Sequence, residues 1–282
     1  MIKVGMIDIT LDNWHSNHYP DYLRDAAKRL NMDIDLCYAW GKKDSKDAWR
    51  LTNKAWSEEK GCEFCESCVE LVEKSDALMV MCADDCRPHE QLAKLALESG
   101  KPVYCDKTFA PDVESAERMF AVASKYNTPV FSCSAQRFCP GLTSFREKRE
   151  TADFALSQGP GDLINYSVHQ FEMLQAAMGT GSVSCQAQLM GEVKHIIYRY
   201  EDERMCTFTL APGLPFHFAA GKAAEGIREI SVGQYYEPFM DAVITFFKTK
   251  KLPVLPEDTL EIMKMQQMAR KAVKQPGEWI GL

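Results

Sequence analysis

The sequence has no run approaching the roughly 18 to 20 apolar residues that a helix needs to cross a bilayer, so no membrane span is expected. Nor is there an excess of positive charge. With 33 Lys and Arg against 40 Asp and Glu, the formal charge is -7, which disfavours nonspecific binding to nucleic acid or anionic membrane surfaces. The chain opens on the strand-like Met1-Ile2-Lys3-Val4-Gly5-Met6-Ile7 and shows no basic start followed by an apolar leader. Its 11 cysteines are therefore expected to be reduced thiols in a cytoplasmic protein. Cys62, Cys65 and Cys68 form C-x-x-C-x-x-C, yet Val72 stands where a ferredoxin-like run needs its fourth cysteine, and no second pair completes a zinc site. No metal is expected, and these thiols read as neighbours on a helix. Internal repeats, low-complexity tracts and coiled-coil heptads are also lacking.

What is present suits a globular chain. A length of 282 residues with 46% hydrophobic and 26% charged content supports a substantial core in one or two domains. Strands are expected over 3–9, 33–39, 77–82, 102–105 and 129–133, and helices over 20–30, 88–99 and 111–126. The segment 44–74 reads as mostly helical with a break at Gly61. Alternation of apolar strands with helices predicts a parallel sheet covered on both faces, ending near 140–141. Beyond it, helices are expected over 145–156 and 165–178. Strands then follow over 183–190, 194–200, 204–210, 216–220 and 227–232, several alternating in polarity, as a mostly antiparallel sheet. Helices over 236–247 and 257–274 close the chain. The expected fold class is thus α/β plus α+β: a Rossmann-like parallel sheet over 1–140, then an open antiparallel sheet over 141–282 with helices on one face.

One stretch carries chemistry. Between residues 76 and 140 a strand, a helix, Asp106-Lys107-Thr108, another helix and Arg137-Phe138-Cys139-Pro140 follow in order. This places Lys107 at the carboxyl end of a strand, the edge where open parallel sheets bind ligands. With His89, Ala96 and Gly100-Lys101-Pro102-Val103, the stretch resembles the glucose-fructose oxidoreductase, inositol dehydrogenase and rhizopine-catabolism family (Gfo/Idh/MocA). A second, shorter similarity runs from Asn165 through His169 to Glu172.

The resemblance implies an N-terminal domain binding NAD or NADP and a C-terminal domain binding a sugar, polyol or related substrate. It implies reversible hydride transfer, with Lys107 and His169 handling the alcohol proton and Arg137, Asn165 and Glu172 near the substrate. Asp8, Thr10, Ser16, Asn17, Trp40, Lys42 and Asp106 are the residues expected along the cofactor.

The chain also departs from the family. The positions of the first two glycines of G-x-G-x-x-G carry Asp8 and Thr10, although those glycines allow a tight turn and close approach of backbone amides to pyrophosphate. Asp106, Thr108 and Asn165 stand where the family has Glu, Pro and Asp. Bland alternatives stay open: Lys107 as a surface lysine, His169 as a packing residue, Arg137 as a hydrogen-bonding strut, His15 and His18 at a helix start, and Cys82, Cys86 and Cys105 as small buried residues. Tyr198, Tyr200, Phe208, Phe216 and Phe218 are expected on one sheet face, whose other side would suit a homodimer or homotetramer.

The leading expectation is an NAD(P)-dependent oxidoreductase acting on a carbohydrate-like substrate. The alternatives are a cofactor-free binding or accessory protein, and a redox-neutral sugar-modifying enzyme with tightly bound NAD.

Overall fold

A computed structural model describes residues 1–148 and 151–281. The chain divides into two compact units, one of Met1–Ala110, Glu114–Ser132 and Phe239–Leu255, the other of Pro111–Val113, Cys133–Pro238 and Pro256–Leu282.

The first unit is built on six parallel strands, β1 (Ile2–Asp8), β2 (Ile34–Gly41), β3 (Glu63–Phe64), β4 (Ala77–Val80), β5 (Val103–Cys105) and β6 (Val130–Ser132). Their order is β3-β2-β1-β4-β5-β6. The last five residues of β1 and all of β4 and β5 are buried, as a sheet covered on both faces requires. Helices α1 (Trp14–Arg29), α2 (Asn53–Lys60), α3 (Cys68–Lys74), α4 (His89–Leu97) and α5 (Val113–Lys125) connect the strands. Strand order reverses between β1 and β4, which is the ligand-binding switch point of such a sheet. Gly5 serves packing in β1, because a Cβ there would lie 2.2 Å from Ser75 Oγ and 2.7 Å from Leu71 Cδ2.

Two expectations for this unit change. Helix α1 starts at Trp14, not at residue 20, because the Asn13 side chain accepts a hydrogen bond from Ser16 N and caps it, leaving Pro20 inside. The segment 44–74 holds two short helices and the strand β3, which pairs Glu63 with Tyr38 and Phe64 with Ala39 of β2. Cys62, Cys65 and Cys68 consequently fall in a turn, after β3 and at the start of α3, and do not share one helix. Among the described residues no group of three His, Cys, Asp or Glu side chains is placed to hold a metal ion.

The second unit holds a seven-stranded sheet of β7 (Phe154–Gly159), β8 (Ser182–Met190), β9 (Val193–Tyr200), β10 (Met205–Leu210), β11 (His217–Lys222), β12 (Gly226–Ile230) and β13 (Trp279–Gly281). Its order is β12-β11-β7-β10-β9-β8-β13, antiparallel throughout except for the β7–β10 pair. The expected helix over 145–156 is replaced by α6 (Thr143–Lys148) and then β7, with 149–150 outside the described residues. Ala155, Ser157 and Gly159 are the buried residues of β7, so its inward face is small and carries no apolar alternation.

Helices α7 (Val168–Met178) and α9 (Pro256–Ala272) are the principal helices of this unit. Tyr198, Tyr200, Phe208 and Phe218 are buried in the sheet, with the Tyr198 hydroxyl donating to Met265 O of α9 at 2.8 Å. Phe216 precedes β11 and has a different place, described below. Helix α8 (Tyr236–Thr249) follows residue 141 in sequence, but from Phe239 onward it packs in the first unit, where Phe239 meets Tyr19 and Tyr104 and Phe246 meets Phe131. No helix among the described residues is long and apolar enough to cross a membrane.

Candidate active site

At the carboxyl ends of β1, β2 and β4 the first unit opens a cavity of about 670 Å³ lined by residues 8–13, 42–50 and 82–91. A cavity of this size at the switch point has room for much of a bound small molecule. Its outer edge is of mixed charge, with Lys42, Lys43, Arg50 and Arg87 against Asp47, Asp84 and Asp85. The Arg50 and Arg87 guanidiniums are paired with Asp47 and Asp85, whereas Lys42 Nζ donates to the neutral Gln91 side chain at 3.0 Å. Lys42 N and Lys43 N donate to Asp8 O and Ile9 O, each at 3.0 Å, which pins this pair of lysines beside the β1–α1 turn.

Asp8 forms the inner wall. Its carboxylate accepts Asn13 Nδ2 and Ser16 Oγ, each at 2.8 Å, and Ile9 N at 2.6 Å. Asn13 Nδ2 also donates to Thr10 O at 2.8 Å. Burial pushes the Asp8 carboxyl up to about 6, against these hydrogen bonds, and the charge of Asp106 adds to the rise.

Lys107 follows β5 and is 5% exposed, with Nζ donating to Ala83 O at 2.7 Å. The Lys107–Thr108 peptide is cis. His89, at the start of α4, ties this segment to β4: Nδ1 lies 2.8 Å from Thr108 O and Nε2 lies 2.5 Å from Met81 O. Burial lowers the pKa of this imidazole, although its carbonyl contacts favour the charged form.

Asp106, fully buried, accepts the Tyr104 hydroxyl at 2.8 Å and has His15 Nδ1 2.7 Å from its second oxygen. Burial alone would raise its carboxyl, but His15, Lys107 and Tyr104 outweigh that and hold it at about 2. His15 stacks on Tyr19 at 4.9 Å.

In the second unit His169 stands in the first turn of α7. Its Nδ1 lies 2.7 Å from Ser134 Oγ, while Ser134 N donates to Glu172 Oε1 at 3.0 Å. Tyr166 and Phe216 flank the imidazole, with ring centroids 4.9 Å and 5.8 Å from it. Arg137 is buried and pairs with Glu172 at 3.2 Å and Asp258 at 3.7 Å. Burial pushes the Glu172 carboxyl up to about 7, with Arg137 opposing. Asn165 lies in the turn before α7, where its backbone N donates to Asp162 at 2.7 Å. A second cavity of about 640 Å³ in this unit is lined by residues 140–145 and 220–234, away from His169 in the lining.

Among the expected cofactor residues, the cavity gathers Asp8, Thr10 and Lys42. Ser16 reaches it only through Asp8. Asn17 bonds Asp12 and the Trp56 indole, Trp40 pairs with Ile7 inside the sheet, and Asp106 bonds Tyr104, so these three stand outside the lining. Sequence reading missed Ser134, Tyr166 and Asn13. Only Asn13 left a signal, a capping residue three positions before Ser16.

Residues 24–133 match the model of an oxidoreductase family with an NAD-binding Rossmann fold, GFO_IDH_MocA. Over this stretch the chain is similar to the Gfo/Idh/MocA family. The match begins within α1, beyond the turn where this chain departs from the glycine pattern.

Three solved structures illustrate its fold. A probable dehydrogenase from Thermotoga maritima is 14% identical with a TM-score of 0.78, over 99% of this chain and 98% of that one. Scyllo-inositol dehydrogenase from Lactobacillus casei, with bound NAD(H) and scyllo-inositol, is 16% identical with a TM-score of 0.75, over 100% and 99%. UDP-N-acetylglucosamine 3-dehydrogenase GnnA from Acidithiobacillus ferrooxidans is 11% identical with a TM-score of 0.78, over 97% and 98%. At these identities the likeness is one of fold. No curated protein matches the chain.

A nicotinamide dinucleotide is the group such a family implies. The residues present fit its phosphates at the outer edge of the cavity, where Lys42 and Lys43 have no carboxylate partner among the described residues. They differ from a glycine turn at the inner wall, which Asp8 occupies.

Proposed function

We propose that this chain is a nicotinamide-dependent oxidoreductase that interconverts a secondary alcohol and a ketone on a sugar, polyol or glycoside-like substrate. The observation that carries this reading is Lys107, buried at the carboxyl end of β5 beside Asp106 in a sheet whose switch point holds a nucleotide-sized cavity. The structural neighbours include dehydrogenases of inositol and of a nucleotide sugar, which supports the substrate class.

The cofactor, when bound, supplies the hydride acceptor or donor. In the oxidising direction the carbon-bound hydrogen leaves as hydride, the hydroxyl proton passes to Lys107 or His169, and the alcohol carbon becomes a carbonyl. In the reverse direction the same groups return the proton to the developing alkoxide. A positioned acid or base contributes roughly 100 to 10,000-fold.

His169 is suited to the task, since the Ser134 hydroxyl fixes Nδ1 and a neutral imidazole can donate at one nitrogen and accept at the other. Tyr166 and Phe216 place aromatic surface beside it, as a sugar ring's apolar face requires. Lys42 and Lys43 would hold phosphate.

The test is calorimetric titration with NAD(H) and NADP(H), followed by a screen of polyols and sugars for absorbance change. Binding of one nucleotide and turnover of one substrate are expected, with Lys107→Ala lowering turnover by roughly 100 to 10,000-fold while nucleotide affinity stays within about threefold. Failure of both nucleotides to bind overturns the reading. It would favour a cofactor-free binding protein instead, which the hydrogen-bonded Asp8, Asn13 and Ser16 also support.

A further inference from the structure

The β1–α1 turn carries a charge of its own. Glycine-rich turns leave bare backbone at three positions so that a pyrophosphate can settle on the N-terminus of the following helix. With the spacing G-x-G-x-x-G these positions are here Asp8, Thr10 and Asn13, and hydrogen bonds join all three. Asn13 Nδ2 donates to Asp8 Oδ2 and to Thr10 O, each at 2.8 Å. Ser16, in the first turn of α1, adds its hydroxyl to the same Asp8 oxygen at 2.8 Å. The Asn13 Oδ1 in turn takes Ser16 N at 3.1 Å, one of the amides that would otherwise face a ligand. Asp8 is 2% exposed and is among the residues lining the cavity, so its charge sits beside any nucleotide bound there.

We propose that Asp8 is a resident anion that competes with the pyrophosphate of a dinucleotide for this turn, so that the nucleotide exchanges as a co-substrate and is not retained between turnovers. This rests on the oxidoreductase reading, since a chain that takes no dinucleotide offers nothing for Asp8 to compete with. Two negative groups sharing a partly dehydrated turn repel far more strongly than they would in water. The outer lysines attract the nucleotide while Asp8 limits how deeply it is held. The redox-neutral alternative, which needs permanently bound NAD, is the one this arrangement disfavours.

The experiment compares the unchanged chain with Asp8→Asn and Asp8→Gly. NADH and NADPH are titrated against each by nucleotide fluorescence, and nucleotide released on denaturing each purified protein is measured. The unchanged chain is expected to carry no stoichiometric nucleotide, and both variants to bind about tenfold or more tightly than it does.

A measurement without substitution guards against a variant that fails to fold: affinity of the unchanged chain is expected to rise as pH falls from about 7.5 to about 5.5, because Asp8 then takes a proton. The titratable and charged groups around Asp8 are Cys82 after β4, whose thiol burial raises far above this window, Asp84 and the Asp85–Arg87 pair beyond it, Asp106 after β5, held at about 2 with His15 and Lys107 beside it, and the Asp47–Arg50 pair across the cavity. Lys42 and Lys43 flank it from the end of β2. Loss of the pH trend in Asp8→Asn assigns it to Asp8 and not to His15.

Unchanged or weaker binding by the folded variants overturns the proposal and leaves the oxidoreductase reading standing. Stoichiometric nucleotide carried by the unchanged chain does the same. No binding by any of the three proteins overturns both.

Discussion

Asp8 and Asp106 are buried carboxylates in one cluster, and their surroundings push them in opposite directions. Asp8 has neutral donors and rises to about 6 through burial, whereas Asp106, equally buried, has His15 and Lys107 beside it and stays at about 2. Asp106 is thus the fixed anion of the site and anchors the imidazole of His15. Replacing it with Asn removes the negative charge beside Lys107 and the carboxylate that His15 Nδ1 meets at 2.7 Å, and losing a hydrogen bond to a charged group costs about 1.5 to 3 kcal/mol. Urea unfolding of Asp106→Asn at neutral pH is expected to show a midpoint lowered accordingly; an unchanged midpoint would mean that the pair contributes nothing. Asp106 and Lys107 were legible in the sequence because they adjoin each other at the end of an apolar strand. His15 stood out in the sequence only as a first-loop residue at a cofactor cleft or a helix start, because its partner Asp106 lies far along the chain. Ser134 and Tyr166 were hidden for the same reason, since each meets His169 through folding and no spacing announces it.

At the scale of elements, the turn that carries Asp8 is braced by a helix remote in sequence. Asn53, the first residue of α2, turns its Oδ1 to accept Leu11 N at 2.8 Å, and Gly41 at the end of β2 makes the room. A Cβ on Gly41 would lie 2.3 Å from Asn53 Cγ and 2.4 Å from that Oδ1. Gly41→Ala is therefore expected to push Asn53 off Leu11 and to lower stability by about 1 to 3 kcal/mol, as overpacking does. Thermal unfolding measures this, and hydrogen exchange at the Leu11 amide should accelerate if the bond is the one lost. The long apolar strands and amphipathic helices were legible because periodicity reports burial on one or both faces. Strand β7 was not, since its buried positions are Ala155, Ser157 and Gly159, small residues that give no apolar alternation, and the neighbouring apolar residues suggested a helix. Strand β3 has two residues and is defined only by its pairing with β2.

For the molecule as a whole, the buried carboxyls set how stability depends on pH. Asp8 is held at about 6 and Glu172 at about 7, against ordinary values of 3.8 and 4.5, so between about pH 4 and 7 the folded chain binds protons that the unfolded chain has released. A state that binds more protons is weakened as they are withdrawn, so the contribution of these two carboxyls falls as pH rises through this window, while His89, whose pKa burial lowers, acts with the opposite sign below its ordinary value of 6.5. Asp106 acts lower down and with the opposite sign. Held at about 2 against 3.8, it contributes stability that is complete above about pH 4 and is lost as pH falls through 2. A two-unit shift corresponds to about 3 kcal/mol, enough to register against the 5 to 15 kcal/mol typical of a folded domain. Melting or urea unfolding of the unchanged chain, Asp8→Asn, Glu172→Gln and the double variant between about pH 5 and 8 tests this, with slope and not height as the readout, because Glu172→Gln also removes the partner of Arg137. Asp8 bonds Asn13, Ser16 and Ile9 while Glu172 bonds Ser134 and Arg137, so the two share no hydrogen-bonding partner and their effects should add. Each single substitution is expected to flatten the descent and the double to flatten it most. A pH slope between about 5 and 7.5 that neither Asp8→Asn nor Glu172→Gln changes would mean that neither carboxyl holds its proton in the folded state.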